Sequence, residues 1–198
     1  MEPLSTEILV ILIAVATYFL SAIPFGLVFS KMAGLGDIRC IGSGNIGATN
    51  VLRTGNKKIA ALTLLFDTLK GAVAVLVSHH FTPGHEYAIG FLAIFAHIFP
   101  IYLKFKGGKG VATTLGVYFA WNPVLGLAVL GTWIISAKLF KISSLSALVA
   151  ATLAPLFAYF LKVDPAVIPF AALISATLFC THRDNIRRIL SKKESVIS

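Results

Sequence analysis

Three stretches of this chain concentrate side chains and backbone groups that hold anions. The first, "GSGNIGATNVLRTGN" from Gly42 to Asn56, sets Ser43, Asn45, Thr49, Asn50 and Arg53 among glycines that include Gly44. Hydroxyls, amides and exposed backbone N–H groups donate to phosphate oxygens, and an arginine can bind one bidentately. A plain polar loop is the competing reading, but turns do not require this density of donors. The second, "KFKGGKGVATTLG" from Lys104 to Gly116, brings Lys104, Lys106 and Lys109 together with Gly107, Gly108 and Gly110 directly before an apolar run. If Val111 begins a helix, free N–H groups and the positive helix end converge on one spot. The GxxxxGK[ST] spacing of a nucleotide-binding loop is absent. Lysines snorkelling at a membrane interface explain Lys104 and part of Lys106. They do not explain the glycines, which weaken a helix start unless the backbone must be approached closely. The third, "HRDNIRR", spaces His182, Asn185 and Arg188 so that a helix would present them on one face. His182 could act there as a base, a phosphate donor or a helix-end cap. Alone, this stretch reads more readily as surface charge.

Smaller features join these. Asp67 and Lys70 are three apart inside an apolar run, where ionisable groups are costly and usually face a bundle interior or a wet cavity. A structural ion pair is the equal alternative. His97, in "AHIFP", precedes the lysine loop and could line the same cavity. "SSLSAL" begins a further apolar run, where Ser143 or Ser144 is an ordinary N-cap that also leaves N–H groups free.

The elements that must position these groups are read from composition. The chain has 198 residues, 57% of them hydrophobic and 13% charged; a soluble domain carries about 25% charged residues. The apolar residues come in runs without the alternation of an outer-membrane barrel. An all-α, polytopic integral membrane bundle of about seven transmembrane helices is expected, some short or kinked. The runs are residues 8–29, with a kink at Pro24, 59–81, 87–104, 111–121, 124–137, 143–161 and 165–180. The run 111–121 has about half the length that a span requires. No linker or repeat divides the chain, so a single membrane domain over residues 1–198 is expected. The flank holding Glu2 and Glu7 lacks the basic residues of a signal peptide.

The net charge is +9. In a soluble protein this would suggest nucleic acid; here the positive-inside rule accounts for it, and no nucleic-acid partner is expected. With the N-terminus outside and the C-terminus cytoplasmic, the segments around Lys31–Lys58, Lys104–Lys109, Lys138–Lys141 and Arg183–Lys193 face the cytoplasm. They hold 15 of the 17 Lys and Arg residues. Cys40 and Cys180 fall on that side and are expected as free thiols. All the anion-receptive stretches then share one face of the membrane, beside apolar walls suited to an acyl chain. That suggests a substrate set with more than one phosphate.

Together "GSGNIGATNVLR", "FDTLKG", "FKGGKGVAT", "SSL" and "HRDNIRRI", in this order, resemble the motifs of the bacterial membrane glycerol-3-phosphate acyltransferases, the PlsY family. The resemblance implies acyl transfer from acyl phosphate to the 1-hydroxyl of sn-glycerol 3-phosphate. The products would be 1-acyl-glycerol 3-phosphate and phosphate, at the first acylation step of phospholipid synthesis. It implies no metal, no acyl-CoA and no cofactor, a monomer in the lipid bilayer of a bacterial cytoplasmic (inner) membrane, and a soluble enzyme supplying the acyl phosphate. By the same resemblance Ser43, Gly44, Asn45, Thr49, Asn50 and Arg53 bind phosphate and polar groups. Gly107, Gly108, Lys109 and Gly110 form a phosphate loop. His182 and Asn185 serve activity, and Lys104, Lys106 and Ser143 are further phosphate contacts. None of the five histidines has an aspartate five positions on, as the other glycerolipid acyltransferase class requires.

An acyl phosphate is already activated, so positioning and preorganised donors suffice without a covalent intermediate. The acceptor's proton goes to the donor phosphate, which the scarcity of bases favours, or to His182. Two other readings compete. A transporter of a small organophosphate anion would use similar groups but place them near the midplane between repeats. A structural membrane protein would leave the glycine motifs unexplained.

Overall fold

The computed structural model describes residues 5–197; Glu2 lies outside them. Ten α-helices follow one another: α1 Thr6–Ser21, α2 Phe25–Met32, α3 Ala48–Leu52, α4 Lys57–Phe81, α5 Glu86–Ile98, α6 Val111–Trp121, α7 Pro123–Phe140, α8 Ser143–Phe160, α9 Val167–Thr181 and α10 Arg183–Leu190. Two single 3-10 turns, Ile38–Cys40 and Ile101–Leu103, are the other helical pieces among the described residues. Each of the seven expected apolar runs holds an α-helix, the first being broken at Pro24 and the third ending at Ile98 rather than Lys104. By length and composition α4, α5 with the turn after it, α7 and α8 are long enough to cross a membrane, and α1 with α2 can form a fifth, bent span. α6 and α9, with 11 and 15 residues, are about 16 and 22 Å long and fall short of a roughly 30 Å hydrocarbon core.

The first run is two helices because Pro24 lacks an N–H and interrupts the ladder. The pair is bent by 41°. The break frees the Ile23 carbonyl, which accepts a hydrogen bond from Lys70 Nζ at 3.2 Å. Lys70 also pairs with Asp67 at 2.8 Å, so the expected ion pair forms and stitches α4 to the break. The third run ends early, at Ile98, because Pro100 disfavours helical geometry at Phe99. The chain then folds back, and the amides of Gly107 and Gly108 donate to the carbonyls of Ile98 (3.0 Å) and His97 (3.1 Å). The lysine loop thereby caps α5, whose last carbonyls lack intrahelical partners.

α6 lies at the centre. It packs on α4 and α7, and its contact with α4 is backbone to backbone. A Cβ on Gly71 of α4 would collide with the Thr113 carbonyl, and one on Gly116 of α6 with the Thr68 carbonyl. Small residues permit such close helix crossings in membranes. Below this crossing, Val117, Tyr118, Leu125, Ala150, Ala154 and Ile174 form the main apolar core. Phe66, Leu76, Leu127, Ile135 and Phe160 are exposed, as expected of surfaces facing lipid.

Contacts divide the connections between two ends. At one end Thr49 meets Ser143, Lys109 meets Asn185, and the Ile197 amide donates to the Lys141 carbonyl. At the other end Tyr87 donates to Asp164 and Trp121 Nε1 to the Glu86 carbonyl. The four basic segments therefore share one end of the bundle.

Candidate active site

A cavity of about 390 Å³ opens at that basic end. Its polar part is lined by Ser43, Asn45, Thr49, Asn50, Arg53, Lys109, Gly110, Ser143, Ser144, His182, Asn185, Glu194 and Ser195. Its continuation between the helices is lined by Leu64, Leu115, Val129, Leu130, Trp133, Ala147 and Ala151. Asp67, His97, Thr114 and Tyr118 also face it.

The first loop is organised around Asn50, which is 1% exposed. Its Nδ2 donates to the Ile38 carbonyl at 2.7 Å; its Oδ1 accepts from the Ser43 amide at 3.0 Å and from Arg53 Nη1 at 3.3 Å. Asn50 therefore positions Ser43 and Arg53, and its own amide is engaged within the loop rather than free for phosphate. Gly42, at φ +56°, has no room for a Cβ beside Asn50 and Arg53. Thr49 bonds Ser143 across to α8 at 3.2 Å. Gly44 is exposed and is not among the cavity-lining residues.

The lysine loop divides. Lys109 and Gly110 line the cavity; Lys104 and Lys106 are exposed and do not. Gly107 and Gly108 also lie off the cavity, with their amides on α5. A Cβ on Gly107 would strike the carbonyls of His97 and Ile98, and one on Gly108 the His97 ring. The close packing against α5 is itself enough to require glycine at both positions. Gly110 remains at the cavity as the N-cap of α6, at φ +87°, and no side chain caps that helix. The first-turn N–H groups of α6 are open to an anion. Burial lowers the Lys109 ammonium to about 8; Glu194 opposes this, while Arg188 and Arg53 add to it. Its Nζ donates to Asn185 Oδ1.

His182 sits at the junction of α9 and α10 and is 2% exposed. Its Nδ1 lies 2.8 Å from the Leu178 carbonyl, which assigns the proton to Nδ1 and the lone pair to Nε2. Burial, aided by the Lys109 charge, lowers it to about 4, so the ring is neutral near pH 7. Thr181 donates to the Lys109 carbonyl at 3.1 Å and ties this junction to the lysine loop. Asn185 and Arg188 share a helix face as expected, but both bind Glu194, a residue that sequence reasoning missed. An acid isolated in the basic run "SKKES" was its one visible signal. The cap position of α8 falls on Ile142, so neither Ser143 nor Ser144 is the expected N-cap; Ser144 Oγ instead donates to Glu194 at 2.8 Å.

Behind the cavity, His97 Nδ1 lies 3.7 Å from Asp67 Oδ1. The hydroxyls of Thr114 and Tyr118 are buried without a hydrogen-bond partner among the described residues.

Residues 11–192 match the model of the glycerol-3-phosphate acyltransferase family. A glycerol-3-phosphate acyltransferase of Brucella canis is 51% identical over 182 residues, covering 91% of this chain and 89% of that one. One of Mesorhizobium japonicum is 51% identical over 189 residues, covering 94% and 95%. Among solved structures, PlsY (YgiH), an integral membrane glycerol 3-phosphate acyltransferase in its glycerol 3-phosphate form, superposes with a TM-score of 0.89 at 34% identity over 95% of both chains. Its lysophosphatidic acid form gives 0.87 at 33% identity over 94% of both. Helical architecture, motif order and these likenesses agree: the chain belongs to the glycerol-3-phosphate acyltransferase family, in its membrane-embedded PlsY branch.

Proposed function

We propose that the protein transfers the acyl group of an acyl phosphate to the 1-hydroxyl of sn-glycerol 3-phosphate. The acceptor oxygen bonds to the acyl carbon, the bond from that carbon to the phosphate oxygen breaks, and 1-acyl-glycerol 3-phosphate and phosphate leave. One observation carries this reading. A mouth lined by Arg53, Lys109, Asn185 and two uncapped helix starts, α6 and α8, continues into an apolar cavity. Two phosphates and one acyl chain are the set that such a site accommodates. The solved relative with a glycerol 3-phosphate form supports the acceptor.

Arg53, Lys109, Gly110 and the first-turn amides of α6 neutralise the phosphates and hold acceptor hydroxyl and carbonyl together. Ser43, Asn45, Thr49 and Ser143 orient them from the facing side. The acceptor's proton passes to the donor phosphate. Burial holds His182 down to about 4, which makes it a poor base, whereas the donor phosphate gains basicity as its bond to the acyl carbon breaks. His182 then orients the acceptor through Nε2. The basic end faces the cytoplasm, where both anions are made, and a soluble enzyme delivers the acyl phosphate.

Detergent-purified protein incubated with acyl phosphate and glycerol 3-phosphate should release phosphate only when both are present. Turnover with acyl-CoA in place of acyl phosphate would overturn the donor assignment.

A further inference from the structure

After α10 the chain turns back across the mouth of the cavity. Glu194 Oε1 accepts from Ser144 Oγ at 2.8 Å and from Asn185 Nδ2; Oε2 accepts from Arg188 Nε at 2.6 Å. The Glu194 side chain is only 5% exposed. Ser195 Oγ accepts from Arg53 Nη2, and the Ile197 amide is held by the Lys141 carbonyl at 2.7 Å. An anionic group with two oxygens thus sits on three donors beside Lys109, at the unguarded start of α8. That is the coordination a phosphate would receive.

The three donors lie within residues 11–192, the span that matches the family, and Glu194 lies beyond it. The carboxylate occupies shared machinery without belonging to the shared segment. Apart from these hydrogen bonds nothing packs the tail down, because Lys192, Lys193, Ser195 and Val196 are exposed and no helix follows α10 among the described residues. A carboxylate fixed there would repel an incoming phosphate, so it must yield when substrate binds.

We propose, resting on the function above, that Ser144, Asn185 and Arg188 form a phosphate subsite, which Glu194 fills as an internal stand-in until a substrate phosphate displaces it. The ligand is a phosphate group, from glycerol 3-phosphate, from acyl phosphate or from the phosphate product. The tail thus sets a threshold for substrate binding and sweeps released phosphate from the site.

Calorimetry on the full-length, detergent-solubilised chain with inorganic phosphate tests this without turnover. If the closed tail is populated about 90% of the time, Glu194→Gln and Glu194→Ala should tighten phosphate binding about tenfold. Ser195→Ala, which loosens the tail from Arg53 but leaves the subsite intact, should shift it the same way by less. Arg188→Gln added to Glu194→Ala should erase the gain. KM measured separately for the two substrates identifies the source, since only the one whose phosphate uses the subsite should show a lower KM. Phosphate affinity that is unchanged or weaker in both Glu194 variants would overturn the proposal and make Glu194 a fixed clamp. Wild-type turnover failing while the Glu194 variants still bind phosphate more tightly would refute the acyltransfer reading and leave the subsite standing.

Discussion

Gly108 gives the sharpest test of how the lysine loop works. A Cβ there would overlap several atoms of the His97 ring. That ring is 4% exposed and 3.7 Å from Asp67, so it has nowhere to retreat. Overpacking of this kind costs about 1–3 kcal/mol, and relief comes most readily by moving the loop. Lys109 and the start of α6 follow Gly108 directly, so a shift of about 1 Å reaches the reacting groups and should lower kcat/KM on the order of 100-fold. His97→Ala removes the obstacle. In that background Gly108→Ala should cost severalfold at most, a coupling of about 2 kcal/mol, within the range of contacting pairs. The assay is kcat/KM for glycerol 3-phosphate in the four proteins of the cycle. Equal damage from Gly108→Ala with and without the His97 ring would refute packing as the glycine's role. It would restore the alternative, in which the Gly108 amide itself approaches phosphate.

Three further outcomes are expected. His182→Gln should keep turnover within about tenfold of wild type, whereas removing a true general base costs roughly 100- to 10,000-fold; loss to background with the fold intact would make His182 the base. Lys109 titrates at about 8 in the free enzyme, so its charge is present below that pH and lost above it; KM for glycerol 3-phosphate should rise as pH passes 8, and Lys109→Arg should flatten that rise. Lys70→Met leaves the Asp67 carboxylate buried without its partner and should destabilise the protein by about 3–5 kcal/mol, while Asp67→Leu with Lys70→Met should recover most of it; thermal unfolding in detergent measures both, and a single variant as stable as wild type would show the pair to be dispensable.

The helices were legible because apolar runs in lipid must be helical, and Pro24 marked the first break; the break at Pro100 was not read, since the run 87–104 continues apolar through it. Arg53, Lys109, Ser143, His182 and Asn185 were legible as donors in a chain with few polar residues, and the structure brings all five to one cavity. The contacts that Gly107, Gly108 and Asn50 make within the fold were not. A glycine needed for approach to a ligand and one needed for approach to another helix look alike until the neighbouring backbone is placed. Asn50 looked like a ligand because nothing in the sequence shows that the Ile38 carbonyl waits for its amide. Lys104 and Lys106 share the charge of Lys109 but not its direction, which the fold of the loop onto α5 decides. Glu194 was hidden because its partners lie up to 50 residues away, and a lone acid in a basic tail reads as solvated.

The short α6 has a reason once its neighbours are considered. α6 and α7 meet at Asn122 and pack together, yet α6 has 11 residues and α7 has 18. Seven residues of helix are roughly 10 Å of rise, so the start of α6 stops well short of the end that α7 reaches. A full-length span would carry its free N–H groups out to the headgroups, where water and salt screen them. The truncated one keeps Gly110 and Lys109 on the same cavity as the apolar walls. The Gly71–Gly116 crossing fixes that position by locking α6 against α4. On the function proposed above, the acyl chain stays among Leu115, Leu130 and Trp133 while its carbonyl meets the Lys109–Gly110 end of the cavity. On that reading the half-length of α6 lets a water-soluble acceptor meet an acyl chain held between the helices, and lengthening α6 by one turn at its N-terminus should abolish turnover while leaving the apolar packing below intact.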